Sequence, residues 1–136
     1  MDAEEAAWLA EQIRAAISDI LSRPGLTIEV DDRPDLWLQI IPETNPTGTT
    51  RHSGYMLNFP PRVLVDSVRS PMSSLAGIRL PPRSQLVAFE PGSYATVWID
   101  PGIDLHVLAQ LCGDILVNLV GARPQASINI QIEHGL

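Results

Sequence analysis

A chain of 136 residues is the size of one domain, and 45% apolar against 18% charged residues excludes an extended disordered chain and predicts one buried core. All nine basic residues are arginine, which excludes lysine Schiff-base chemistry and a lysine-bearing phosphate loop, and the single cysteine, Cys112, excludes an internal disulfide or a thiolate metal cluster within one chain. The net charge of −7 disfavours nucleic acid as a partner, because phosphate binding rests on neutralisation by basic side chains.

The first element expected is a helix over about residues 3–22. Asp2 and Glu5 have the spacing of a capping box, and Leu9, Ile13, Ala16, Ile17, Ile20 and Leu21 recur every three or four residues before Pro24-Gly25 stops the chain. The period then changes to two. Leu26, Ile28 and Val30 alternate with polar neighbours, as do Leu36, Leu38 and Ile40, so two strands are expected around the turn Asp31-Asp32-Arg33-Pro34-Asp35.

Residues 42–54, PETNPTGTTRHSG, read as a loop, and Tyr55, Leu57 and Phe59 as a third short strand ended by Pro60-Pro61. Five prolines interrupt residues 60–82. Pro61 suits the first turn of a short helix running to about Val68. Leu86 to Phe89 and Tyr94 to Ile99 read as two further strands joined by a tight turn at Glu90-Pro91-Gly92-Ser93.

Asp104 suits the N-cap of a helix over 103–121, in which Leu105, Leu108, Leu111, Cys112, Ile115, Leu116, Leu119 and Val120 form a broad apolar face closed by Gly121. A last strand over 126–133 follows from the alternation of Ile128, Ile130 and Ile132. The expectation is a single α+β domain: one antiparallel or mixed sheet of five or six strands, covered by the first helix and the helix 103–121. If the strands 94–99 and 126–133 run in the same direction in one sheet, the helix between them makes a crossover.

No residue group spells out a catalytic site, so the chain is read as a non-enzyme with no cofactor and no metal. Cys112 lies among apolar residues, the opposite of the electropositive setting a nucleophilic thiolate needs, and is read as core. His52, His106 and His134 are too scattered for metal-ligand spacing and are read as surface or helix-rim residues. Asp31, Asp32 and Asp35 are read as a solvated turn rather than an acid–base pair. Trp8, Trp37 and Trp98 are read mainly as core, with Trp8 off the main helical stripe and free to pack at a subunit interface.

Charge is unevenly distributed. Residues 1–43 carry ten acids and three arginines, residues 44–89 one acid and five arginines, and residues 90–136 five acids and one arginine. The locally basic middle interleaves Arg51, Arg62, Arg69, Arg79 and Arg83 with Tyr55, Phe59 and Met72. Arginine and aromatic side chains are enriched where proteins meet, so Trp37, Tyr55, Phe59, Arg62, Arg69 and Arg83 are the candidate contact residues. The opposing reading is that the arginines balance the acidic first third.

The order helix, three strands, short helix, two strands, long helix resembles the type III secretion chaperone-like fold over about residues 3–121, on element order, size and acidity, with no residue motif and with the strand 126–133 as an addition. The resemblance implies a small, acidic, often dimeric protein that binds extended segments of a client protein. The leading expectation is thus a non-enzymatic, chaperone- or adaptor-type protein-binding module, with a homodimer possible. A second is a binder of anionic small molecules, or an enzyme, with a pocket near residues 60–83. A third is an immunity or inhibitor protein whose acidic surface meets a basic target. The start MDAEEAAW has no positive region before an apolar one, and no apolar run approaches bilayer length, so a cytoplasmic location away from membranes is expected.

Overall fold

The computed structural model describes residues 1–44, 52–62, 72–75, 77–90 and 92–135. Asp2 caps helix α1 (Ala3–Ser18) through the expected reciprocal pair: its carboxylate accepts from Glu5 N at 2.8 Å, while Glu5 accepts from Asp2 N at 3.3 Å. The helix stops four residues earlier than its periodicity suggests. A 3-10 turn (Ile20–Ser22) follows, and Arg23 takes the left-handed conformation at φ 55°. Ala6, Leu9, Ala10, Ile13 and Ala16 bury one stripe, whereas Leu21 is exposed.

Seven strands follow: β1 (Gly25–Val30), β2 (Arg33–Thr44), β3 (His52–Phe59), β4 (Met72–Leu75), β5 (Ile78–Glu90), β6 (Tyr94–Ile99) and, after helix α2 (Leu105–Ile115), β7 (Ile128–Glu133). Every pairing is antiparallel. Six strands form the main sheet in the order β5-β6-β3-β2-β1-β7, and β4 extends it by pairing with the first half of β5. Four successive antiparallel pairings separate β6 from β7, so these two strands run the same way with three strands between them. The connection through α2 therefore crosses the sheet, as the conditional expectation required.

Register makes the sheet one-sided. Ile132, Leu26, Ile40, Leu57, Val97 and Leu86 stand opposite one another in a single row across all six strands. The four central members of that row, Leu26, Ile40, Leu57 and Val97, have no exposed surface. Because side chains alternate, every such row faces the same side, and both helices pack there with each other and with the sheet. Asp104 caps α2 by accepting from His106 N at 2.9 Å and Val107 N at 3.2 Å. The helix ends in a wide π turn (Leu116–Val120) closed by Gly121 at φ 99°.

The structure corrects several boundaries. β2 and β3 reach into the expected loop 42–54, pairing Pro42 with Tyr55 and Glu43 with Gly54. Residues 45–51 of that loop, and residues 63–68 of the expected short helix, lie outside the described residues. The proline-rich stretch before Leu86 is not helical where it is described; it supplies β4 and the first half of β5. Strand prolines are tolerated where no ladder hydrogen bond is lost. Pro81 and Pro82 meet that condition, for they fall between the pairs Ser74↔Arg79 and Met72↔Ser84, where the register shifts. There Arg83 adopts φ 67° and the buried Ser84 hydroxyl donates to Pro81 O at 2.7 Å, turning the strand from β4 towards β6.

Truncation of Leu57 at the centre of the apolar row should cost about 2–5 kcal/mol. Urea unfolding of Leu57→Ala is expected to show a midpoint lowered accordingly, with an unchanged slope.

Candidate functional site

With both helices on one side, the other face of the sheet carries no helix among the described residues. Its central row is polar: Gln131, Thr27, Gln39, Asn58, Thr96 and Ala88 stand opposite one another across the strands. Asn58 Nδ2 donates to Gln39 Oε1 at 3.1 Å, and Thr96 Oγ1 donates to Asn58 Oδ1 at 2.6 Å. These groups satisfy one another, which fixes their orientation on a half-exposed surface.

On one side of this ladder Ile41, Met56 and Trp98 form an adjacent row, directly opposite one another on β2, β3 and β6 and all partly exposed. On the other side Trp37 stands opposite Glu29. The Trp98 indole packs against Gly54 of β3. An ideal Cβ at Gly54 would sit 2.8 Å from Trp98 Cε2, and Gly54 also holds φ 143°, a conformation side chains disfavour. The face is thus a rigid platform with two indoles and two aliphatic side chains around a polar centre.

The residues singled out in the sequence separate in space. Trp37 lies on the open face, partly exposed. Tyr55 and Phe59 do not: they are 1% and 0% exposed, because their parity along β3 places them with Leu57 under the helices, so both are corrected from contact surface to core. Arg62 is exposed but tied down. Its N–H donates to Leu119 O at 2.7 Å, its guanidinium lies 3.8 Å from Asp35, and its side chain covers Gly121. Arg83 pairs with Asp100 at the bend of β5. Arg69 and Arg51 lie outside the described residues. Arg62 therefore follows the charge-balance reading, paired to the acidic first third.

The three tryptophans are corrected in the opposite sense. Trp37 and Trp98 are on the open face rather than in the core, and Trp8 is 43% exposed on α1. Sequence reasoning missed Ile41, Met56 and Trp98 as a group. The available signal was their parity: each is out of phase with the buried residues of its own strand.

The titratable residues assemble no reactive cluster among the described residues, and no group of three or more His, Cys, Asp or Glu there is arranged to hold a metal. Cys112 is fully buried, and desolvation pushes its thiol well above the ordinary range. Burial likewise pushes the Tyr55 hydroxyl up to about 12. His52 packs edge-on against Tyr55 with ring centres 4.4 Å apart, and desolvation lowers its pKa. At the β1–β2 turn the Arg33 hydrogen bond holds Asp35 below the usual carboxylate range, in an exposed pair that adds little stability.

Depressions lie away from the open face. A broad one of about 770 Å3 is lined by Asp31, Asp32 and the segment Arg123–Ser127. A mainly apolar groove of about 320 Å3 runs between Arg79, Leu80, Pro81 and Pro82 on β5 and Ile103, Val107 and Leu111 at α2. No described helix is long and apolar enough to cross a membrane. No family model matches the chain, and the searches of curated proteins and of solved structures return no significant match.

The buried acids define a pH response with a definite sign. The folded chain keeps the Cys112 and Tyr55 protons that the unfolded chain gives up near the ordinary values of 9.0 and 10.0, so stability is full below that range and falls as pH rises through it. Urea midpoints should decline from pH 9 upwards, and Cys112→Ala should flatten the decline. For the platform, Gly54→Val should tilt the Trp98 ring off the sheet, read as a shift in the indole emission that Trp98→Phe removes.

Proposed function

We propose that the chain is a non-enzymatic protein-binding module of chaperone or adaptor type, and that the helix-free sheet face is where it meets its partner. The observation that carries this reading is the row Ile41, Met56 and Trp98 beside Trp37, apolar side chains kept partly in water by the same alternation that buries their neighbours. Aromatic residues on a rigid support give a large contact area at little cost in conformational entropy. The polar ladder Gln39–Asn58–Thr96 between them supplies directed hydrogen bonding.

The resemblance to type III secretion chaperones drawn from the sequence implies the same class of partner, an extended segment of a client protein, although β4 stands in the described order where no helix is seen. A surplus of seven negative charges favours a client with basic character. An intracellular, cytoplasmic site of action agrees with the single, buried cysteine.

A second reading is favoured by the groove beside Arg79, whose apolar walls and single guanidinium suit a small amphipathic anion. Arg83 is engaged with Asp100, and Arg79 is the remaining cation at that rim among the described residues.

Met56→Arg places a charge at the centre of the open face without entering the core. Affinity capture from the native host is expected to recover protein partners with the wild-type chain and to lose them with Met56→Arg, at an unchanged melting temperature. Partners retained by Met56→Arg overturn the assignment of this face. In a thermal-shift screen, anionic metabolites should leave the melting temperature unmoved; a rise abolished by Arg79→Ala establishes the groove reading instead.

A further inference from the structure

The two ends of the sheet are finished differently. At the β4–β5 end the outer strand is four residues long, its register shifts against β5, and β5 itself has a second shift between Leu86 and Ala88. Short, bulged edges resist pairing with another chain. β7, at the other end, has neither device. It pairs with β1 in six unbroken register steps, from Ile128 opposite Val30 to Glu133 opposite Gly25, and residues 128–132 contain no charge and no proline.

The hydrogen-bond phase of this edge follows from one contact. Asp31 N donates to Ser127 O at 3.0 Å, and these two residues follow directly on the last pair of the β1–β7 register, Val30 opposite Ile128. Bonded pairs alternate along an antiparallel ladder. The backbone groups of Asn129, Gln131 and Glu133 therefore point to β1, and those of Ile128, Ile130 and Ile132 point outward. The outward-pointing backbone is carried by the isoleucines, whose side chains lie on the helix side, part-buried against the core at Ile128 and Ile130 and 47% exposed at Ile132.

We propose that β7 pairs with β7 of a second copy of this chain about a two-fold axis at Ile130, joining two sheets edge to edge. Ile130 faces Ile130 of the second copy and Ile128 faces Ile132, so three residue pairs each exchange two backbone hydrogen bonds. The parity is the one that keeps faces matched: isoleucines meet isoleucines on the helix side, and Asn129 meets Gln131 on the open side. An isologous contact must be complementary to itself. This one is, because Glu133 falls opposite Ser127, so a chain with a net charge of −7 brings no two carboxylates face to face along the strand. The pairing covers the exposed Ile132 and makes one continuous platform of the two open faces. It stands independently of the client-binding reading.

Sedimentation tests it on the full chain. The wild type is expected at twice its 14.9 kDa at micromolar concentration. Ile130→Pro removes an outward N–H and a part-buried side chain but no donor to β1, and should sediment as the monomer with an unchanged far-ultraviolet spectrum, whereas Asn129→Pro, which removes a donor to β1, should unfold the strand pairing. Ile130→Cys should form a disulfide-linked dimer under mild oxidation, since the two residues meet at the axis and Cys112 is buried. Trp37→Cys should not. A wild-type monomer throughout the micromolar range would overturn the proposal and leave the edge to an extended segment of another protein. So would a dimer that survives Ile130→Pro, or an Ile130→Cys chain that dimerises without cross-linking, and the cross-link decides if Ile130→Pro fails to fold.

Discussion

The alternation of side chains along a strand, carried in phase across six strands, governs this molecule. Leu26, Ile40, Leu57 and Val97 meet in one fully buried row because each adjacent pair is in the matching register. A slip of one residue in any pairing would turn a whole strand's apolar set towards water, which makes the register costly to change. The helices take their places from this. α1 and α2 each have one apolar stripe, and both stripes pack on the apolar side of the sheet.

What the open face presents is a consequence of the same constraint. Gln39, Asn58 and Thr96 occupy its centre and hydrogen-bond one another, while Ile41, Met56 and Trp98 sit beside them with no helix above among the described residues. Gly54 leaves room for the Trp98 indole, which a Cβ at that position would strike. Glu29 lies on this face opposite Trp37, whereas Cys112 is buried on the core side of α2 and the Asp31–Asp35 turn joins β1 to β2.

The edges extend the argument from faces to ends. The β4–β5 end is shortened, bulged and bent at Arg83, whose left-handed backbone redirects the strand. The β7 end is regular, uncharged over residues 128–132 and self-complementary in register. Doubling the sheet there and leaving the open face free are compatible, since one uses backbone groups in the plane of the sheet and the other uses side chains normal to it.

By itself the sequence determined the elements whose signals are local. The capping box at Asp2 and Glu5, the cap at Asp104, the period of α2, and the alternation in β1, β2, β6 and β7 depend on residues within a few positions of one another, and each element is present. Only the tertiary structure decided which parity of each strand faces the helices. That single choice moved Tyr55 and Phe59 into the core and Trp37 and Trp98 out of it, because an aromatic residue reads alike on either face until its cross-strand partners are known. The same holds for Arg62 and Arg83, whose partners Asp35 and Asp100 are distant in sequence, and for Pro81 and Pro82, acceptable in β5 only because the register shifts where they lie. The local pattern shows which residues of a strand share a face, and long-range pairing decides which face is buried.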